Sequence, residues 1–193
     1  MEKRFISAQE LLDVSFQLGG LIVQQGYRPN FIVGVWRGGA PVGIAVQEIL
    51  DACGVAADHI AIRTSSYQAI GQRAKEVRVH GLRYIEKRVN AEDKLLIVDD
   101  IFDTGLSVAK VISELHKVCR KNTPEIKVAT PFYKPTNNQT SFEPDFYLEK
   151  TDKWLVFPHE LEGLSFEEIK KHKPEVLSYI QEAKRRNKSE SVF

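Results

Sequence analysis

The chain has 193 residues, of which 42% are hydrophobic and 27% are charged, and its formal net charge at pH 7 is +1. This length predicts one domain with a sizeable core, and the balanced charge argues against a dedicated nucleic-acid surface. No apolar run approaches the roughly 18 residues that span a membrane, and the first residues lack the apolar core of a signal peptide. Cys53 and Cys119 have no metal-type spacing, so we expect buried, reduced thiols in a cytoplasmic protein.

The first half of the chain alternates between strand and helix patterns. Apolar residues at helical spacing predict an N-terminal helix. Residues 31–35 form an apolar run that is typical of a buried strand, and a Gly-rich loop at 36–41 leads into a second helix that reaches about residue 53. Residues 60–64 predict another strand, and a polar stretch without clear periodicity follows it to about residue 93.

The second half repeats this alternation around a short apolar strand at 95–98 and the helix that follows it. Residues 126–130 predict a further strand, 146–148 an edge strand, and 154–158 an apolar run that a proline interrupts. Two helical patterns follow residue 165. Strands that alternate with helices predict an α/β fold in which a central parallel sheet is flanked by helices on both faces.

The segment after the strand at 95–98 carries polar groups that suit ligand binding at the carboxyl end of a sheet. Thr104 and Ser107 offer hydroxyl groups beside the free backbone N–H groups of a helix start, which together hold a phosphate, and Gly105 permits close approach. The adjacent acids Asp99 and Asp100 do not suit phosphate. They suit a metal ion, a sugar diol, or both.

This ordered combination, with Asp103 between the paired acids and the Thr-Gly-x-Ser turn, resembles the phosphoribosyl-pyrophosphate motif of the type I phosphoribosyltransferases. The resemblance spans about residues 31–160 and points to the purine enzymes of the hypoxanthine and xanthine-guanine kind. It implies a central parallel sheet flanked by helices, with a small hood and a mobile loop. We expect a phosphoribosyltransferase domain at 1–164, its hood drawn partly from 131–160, and a C-terminal helical extension with a basic, frayed tail at 165–193.

The resemblance implies roles for the residues that would hold phosphoribosyl pyrophosphate. The 5′-phosphate would be bound by the turn formed by Asp103, Thr104, Gly105, Leu106 and Ser107. The ribose hydroxyls and Mg²⁺ would be held by Asp99 and Asp100, with Glu160 as a further metal ligand. The pyrophosphate would contact Arg37, Gly38 and Gly39 and, from the mobile loop, Ser66, Tyr67 and Arg73. The resemblance also implies a cis peptide bond between Trp36 and Arg37.

The base-binding residues that the resemblance implies are Lys134, Trp154 and Leu155. The Lys134 ammonium would face the purine O6, the Trp154 ring would stack on the base, and the Leu155 carbonyl would accept a hydrogen bond from the base edge. Asp103 is the catalytic candidate, because a carboxylate beside the imidazole ring can take a proton and face positive charge at C1′. Without the resemblance, the pattern fits a solvated lysine at 134 and a core aromatic at 154.

The resemblance therefore implies Mg²⁺-dependent transfer of the 5-phosphoribosyl group to a 6-oxopurine (hypoxanthine, guanine or xanthine) in purine salvage. It further implies a homodimer or homotetramer. The balanced charge and the short apolar runs predict no nucleic-acid partner and no membrane span. Two alternatives remain: the same transfer to another nucleobase, and a nucleotide-sensing regulator on the same fold. A regulator can lose Asp103 or the base-binding residues, and this chain keeps both.

Overall fold

The computed structural model describes residues 2–67 and 76–190. The helices within these residues are α1 (Ala8–Gln24), α2 (Gly39–Ala52), α3 (Arg83–Glu86), α4 (Leu106–Cys119), α5 (Phe166–His172) and α6 (Pro174–Glu190). The strands are β1 (Lys3–Phe5), β2 (Phe31–Trp36), β3 (Asp58–Tyr67), β4 (Glu76–His80), β5 (Lys94–Val98), β6 (Ile101–Phe102), β7 (Glu125–Ala129), β8 (Phe132–Tyr133), β9 (Glu149–Lys150) and β10 (Trp154–Val156).

The main sheet has five strands in the order β4-β3-β2-β5-β7. Strands β3, β2, β5 and β7 are parallel, and β4 runs antiparallel to β3 at one edge. Two smaller parallel sheets accompany it, β6-β8-β9 and β1-β10. The predicted fold class is confirmed, with one antiparallel edge strand added to a sheet that is otherwise parallel.

Helices cover both faces of the main sheet because its central strands are apolar on both sides. One core joins α1 and α2 to one face of the sheet, with Leu18, Val46 and Leu96 fully buried. The other core joins α3 and α4 to the opposite face, with Val111 and Ile97 fully buried. Adjacent residues of β5 thus point into different cores. The carboxyl ends of the parallel strands are left free for the loops that carry the predicted site.

Several local predictions need correction. Strand β3 extends to Tyr67 and pairs with β4, so the stretch predicted as polar and aperiodic contains a hairpin strand and the short helix α3. Strand β1 was not predicted, because three residues show no measurable alternation. The predicted edge strand at 146–148 is a single bridge between Ala129 and Phe146. Cys119 is buried as expected, but the prediction for Cys53 was wrong, since its thiol is free and exposed beyond the end of α2.

The two predicted C-terminal helices are present. Ser165 and Glu168 form a reciprocal capping box at the start of α5, and Pro174 is the first residue of α6. None of the helices in the described residues is long and apolar enough to cross a membrane.

Candidate functional site

The carboxyl ends of β2 and β5 meet, because these strands are parallel neighbours with Gly34 opposite Val98. The loop after β2 therefore lies against the acids after β5. A Cβ atom on Gly38 would lie 1.8 Å from Asp100 Oδ2, and one on Gly39 would lie 2.2 Å from the Val98 carbonyl oxygen. Only glycines permit this approach. The peptide bond between Trp36 and Arg37 is cis, as the resemblance implied.

The carboxylate of Asp99 accepts hydrogen bonds from two backbone groups. The Asp100 N–H donates to Asp99 Oδ1 at 3.0 Å, and the Gly39 N–H also donates to the Asp99 carboxylate. Burial, followed by the charge of Asp100, raises the pKa of Asp99 well above its usual range. Two such carboxylates repel each other, and a cation relieves that repulsion. The described residues contain no group of three or more acidic, His or Cys side chains able to hold a metal. The metal role of Asp99 and Asp100 stays a prediction.

The predicted phosphate turn forms the N-terminus of α4. Gly105 is the residue before the helix and has φ +74°, and a Cβ atom there would lie 2.6 Å from the Phe102 ring. The turn encloses a small cavity of about 80 Å³, lined among others by Asp99, Thr104 and Ser107. Backbone N–H groups at a helix start, with hydroxyl groups beside them, form an anion-binding arrangement. Leu106 is exposed on the outside of the turn.

The register of the small sheet brings Asp103 and Lys134 together. Phe102 pairs with Tyr133, so the next residue of each strand lies beside the other. The Lys134 Nζ donates to Asp103 Oδ2 at 3.1 Å, although Lys134 is only 6% exposed. The solvated lysine of the alternative interpretation is therefore wrong, and this ammonium is buried and paired with a carboxylate.

Asn137 is a site residue that the sequence analysis missed. Its Nδ2 donates to Asp103 Oδ1 at 2.8 Å, so the two oxygens of Asp103 accept from two different side chains. Asn137 stands in a short 3-10 turn that begins at Pro135, directly after Lys134. The only signal in the sequence was a polar residue shortly after the Lys-Pro dipeptide. This signal is weak, because most residues of a surface loop are polar whether or not they contact a site.

A cavity of about 390 Å³ opens beside this carboxylate–ammonium pair. Its walls include Asp100, Asp103, Lys134, Trp154, Leu155 and Glu160. Trp154 is 51% exposed at the start of β10, which rules out the core aromatic of the alternative interpretation. A half-exposed indole beside a buried cation provides a flat apolar wall and a polar anchor for a planar ligand.

Glu160 lies in the same cavity as Asp100, and its Oε2 accepts from the Phe157 N–H at 3.1 Å. Its role as a metal ligand stays a prediction. His159, to which the sequence analysis assigned no role, has its Nε2 at 3.5 Å from Asp100 Oδ2. The imidazole ring stacks on Phe157, with 5.7 Å between the ring centroids.

The remaining predicted site residues are only partly described. Arg37 is exposed at the end of β2. The backbones of Ser66 and Tyr67 pair with β4, opposite Val77 and Glu76, but their side chains lie outside the described part of the structure. Arg73 also lies outside the described residues, and the predicted mobile loop with it.

A larger and shallower cleft of about 660 Å³ lies beside the base of the small sheet, lined among others by Arg4, Glu149 and Asp152. Its charged groups are already paired: Arg4 donates to Glu149 and Glu10, and Thr136 donates to Asp152. Since this cleft lacks the strand ends of the main sheet and the start of α4, we assign the site to the two smaller cavities.

Comparison with known families identifies the domain that carries these cavities. The family model of the phosphoribosyl transferase domain matches residues 8–163. The chain belongs to the phosphoribosyl transferase domain family. The match covers most of the chain and includes the residues that line both cavities.

Solved structures place this phosphoribosyltransferase near purine enzymes. The purine phosphoribosyltransferase of Pyrococcus horikoshii is 27% identical, with 86% of this chain and 98% of that chain covered and a TM-score of 0.64. The xanthine-guanine-hypoxanthine phosphoribosyltransferase of Helicobacter pylori is 22% identical, covers 81% and 92%, and has a TM-score of 0.63. A Neisseria gonorrhoeae protein with bound ppGpp is 18% identical, covers 84% and 91%, and has a TM-score of 0.71. The last two show a shared fold. A comparison with curated protein sequences gave no match.

The contact between Gly38 and Asp100 yields a prediction for substrate binding by this phosphoribosyltransferase. Gly38→Ala would force the loop after β2 or the Asp100 carboxylate to move, because the added Cβ atom would lie 1.8 Å from Asp100 Oδ2. We expect the KM for phosphoribosyl pyrophosphate to rise about tenfold or more in steady-state kinetics. Gly20→Ala is the matched control, because a Cβ atom there meets nothing within 4 Å and alanine favours the helix α1. Equal KM values for Gly38→Ala and wild type would contradict the predicted role of this loop.

Proposed function

We propose that the protein transfers the 5-phosphoribosyl group from phosphoribosyl pyrophosphate to a 6-oxopurine, with Mg²⁺ as cofactor, in purine salvage. The observation that carries this proposal is the buried Lys134 ammonium, paired with Asp103 at 3.1 Å in a cavity that Trp154 borders. A buried cation needs a partner. In the complex, the ammonium would donate both to the Asp103 carboxylate and to an acceptor oxygen on the base.

The phosphoribosyl pyrophosphate would extend from the phosphate turn to the loop after β2. The α4 N-terminus with Thr104 and Ser107 would bind the 5′-phosphate, with the backbones of Asp103, Gly105 and Leu106 completing the turn. Gly38 and Gly39 would contact the pyrophosphate through backbone N–H groups, with Arg37 adding a charged fork. Ser66, Tyr67 and Arg73 would close over the pyrophosphate from the loop, because the reaction requires that water be kept out.

Asp99 and Asp100 fit the metal and the ribose hydroxyls. Mg²⁺ keeps several waters and binds one or two carboxylates together with substrate phosphates, which suits an acidic pair better than a closed protein cage. When bound, Mg²⁺ neutralises the pyrophosphate as it leaves. Glu160 is the further candidate ligand from the base side of the same cavity.

The transfer itself needs a base nitrogen aligned with C1′. In this proposal the bond from C1′ to the pyrophosphate oxygen breaks, a bond from C1′ to the purine nitrogen forms, and the proton on the imidazole ring passes to Asp103. Lys134 donates to O6, the Leu155 carbonyl accepts from the opposite edge of the base, and Trp154 stacks on its face. The Asp103 carboxylate also faces the positive charge that develops at C1′.

The metal requirement gives a direct test. We expect nucleotide formation from hypoxanthine and phosphoribosyl pyrophosphate to cease in excess chelator and to return when Mg²⁺ is added back, because unneutralised pyrophosphate is a poor leaving group. The measurement is nucleotide formed and pyrophosphate released, before and after chelation. Full activity in excess chelator would contradict the metal assignment of Asp99 and Asp100. Binding of nucleotides without any turnover would favour the regulator instead.

A further inference from the structure

A buried lysine from the C-terminal helices reaches the segment that borders the base cavity. Lys173, the residue directly after α5, is 6% exposed. Its Nζ donates to the carbonyl oxygens of Phe157 at 2.6 Å, Pro158 at 3.0 Å and Glu160 at 2.6 Å. An ammonium has three protons to donate and no acceptor, so these three carbonyls satisfy it completely. The buried charge of Lys173 is thus neutralised by backbone dipoles of one short turn.

The turn that Lys173 binds is closed on itself. The Phe157 N–H donates to Glu160 Oε2 at 3.1 Å, and the Glu160 N–H donates to the Phe157 carbonyl oxygen, also at 3.1 Å. The three carbonyls converge on one point only while the turn keeps this shape. The ammonium and the turn therefore stabilise each other, and the Glu160 carboxylate is oriented as part of the same network.

This turn is continuous with the base-binding strand. Leu155, Phe157 and Glu160 all line the cavity beside Lys134 and Asp103, and Trp154 begins the same strand, β10. The turn that the Lys173 ammonium binds therefore forms part of the wall of this cavity.

Helix α5 is itself held to this strand from the other side. Strand β1 pairs in parallel with β10, with Lys3 opposite Trp154. The Lys3 Nζ donates to Glu168 of α5 at 2.7 Å and lies 5.8 Å from the centroid of the Trp154 ring. The rings of Phe5 and His172 stack with 3.7 Å between centroids. Helix α5 is therefore anchored beside β10, and the residue that follows it, Lys173, reaches the turn from this fixed helix end.

We propose that Lys173 is a positioning residue for the base: it holds the turn at Phe157–Glu160 so that Trp154 and the Leu155 carbonyl meet a purine correctly. The inference rests on the proposed transfer to a purine. It assigns the C-terminal helices a part in the base subsite, which adds a function to the predicted extension at 165–193. Lys173 contacts backbone groups of the protein, and it acts on the substrate only through them.

Replacing the ammonium should disturb base binding more than phosphoribosyl-pyrophosphate binding. Lys173→Met keeps most of the aliphatic chain but leaves three carbonyls without their donor, and we expect the turn to shift. The KM for hypoxanthine should rise about tenfold or more, the size of effect seen for outer contacts that orient a binding group. The KM for phosphoribosyl pyrophosphate should rise clearly less, by no more than about threefold, because the phosphate turn belongs to α4 and only the candidate metal ligand Glu160 lies in the disturbed turn.

A second readout follows the turn without any substrate. In Lys173→Met, amide hydrogen exchange at Phe157 and Glu160 should accelerate about tenfold or more, while exchange at Gly105 and Ser107 stays as in wild type. Lys173→Arg is the companion variant, because it keeps the charge but offers a planar fork to carbonyls that converge on a point. We expect Lys173→Arg to fold and to raise the KM for hypoxanthine more than the KM for phosphoribosyl pyrophosphate, but by less than Lys173→Met does.

Two controls separate positioning from general stability. Lys171→Met removes an exposed lysine of α5 two residues away and should leave both KM values unchanged. Tyr27→Phe removes buried hydrogen bonds to the carbonyls of Leu95 and Glu125, at the other end of the sheet. It should lower the Tm without changing the KM for hypoxanthine.

The inference is overturned if Lys173→Arg, or a folded Lys173→Met, keeps the wild-type KM for hypoxanthine and wild-type exchange at Phe157 and Glu160. It is also overturned if both KM values rise equally, as a merely destabilised protein would show. If the wild-type protein forms no nucleotide from any 6-oxopurine, the proposed function fails, and the exchange measurement still decides whether Lys173 holds the turn.

Discussion

Asp103→Asn should keep the fold and the binding of phosphoribosyl pyrophosphate while lowering kcat by roughly 10²–10⁴-fold, the usual contribution of one positioned acid–base group. The carboxylate accepts from Lys134 with one oxygen and from Asn137 with the other. An asparagine has a single acceptor oxygen, so one of these two donors loses its partner. The amide also cannot take the proton from the base. The measurement is kcat at saturating substrates.

Asn137→Ala provides the matched control for this prediction. It removes one donor to the Asp103 carboxylate but keeps the negative charge and the contact with Lys134. We expect a loss of kcat far smaller than that of Asp103→Asn. Wild-type turnover in Asp103→Asn at saturating substrates would remove Asp103 from the chemistry.

Lys134→Ala should lose most activity on 6-oxopurines, and this is the second large effect that we expect. In wild type the ammonium is buried and would donate to O6, whereas adenine presents a 6-amino group that sets donor against donor. With adenine bound, the ammonium keeps Asp103 as its partner, but a desolvated N–H of Lys134 and the 6-amino group are left without an acceptor. A site built to hydrogen-bond O6 rejects such an analogue strongly, so wild type should prefer hypoxanthine to adenine by roughly 10³-fold or more in kcat/KM. Lys134→Gln should narrow this gap, because an amide can both donate and accept.

The control for Lys134 is an exposed lysine on the outer face of α4. Lys117→Ala should leave the kcat/KM for every base unchanged, since the Lys117 side chain is 75% exposed and lies outside both cavities. If Lys134→Ala retains the wild-type kcat/KM for hypoxanthine, Lys134 serves only as a partner for Asp103.

The parts of the site that are local in the sequence could be predicted well. An apolar strand, two acids, a Thr-Gly-x-Ser turn and an amphipathic helix follow one another within 95–119, and the structure keeps that order. Each step depends on neighbours a few residues away, so the pattern alone locates β5, the phosphate turn and α4. The glycines after β2 came from the resemblance and not from the pattern alone, and the structure puts them where a strand ends and the helix α2 begins.

The contacts that depend on strand register could not be predicted in this way. Whether Lys134 is buried depends on Phe102 lying opposite Tyr133, which two-residue strands do not reveal in a sequence. Lys173 gives no local signal, since it is one lysine among several in the last helices, and its partners lie 13 to 16 residues away in sequence. Strand β1 finds its partner β10 at the far end of the chain for the same reason. These contacts depend on pairing between residues that are distant in the sequence, whereas the periodicity of hydrophobic residues indicates only the local secondary structure.

The measurement that tests the proposed function most directly is the initial rate of nucleotide formation by the wild-type protein with phosphoribosyl pyrophosphate, Mg²⁺ and four bases: hypoxanthine, guanine, xanthine and adenine. The paired Lys134 and Asp103 predict turnover of at least one of the three 6-oxopurines, with adenine roughly 10³-fold or more behind in kcat/KM. Adenine used as well as hypoxanthine, or no nucleotide from any 6-oxopurine, would contradict the proposed function.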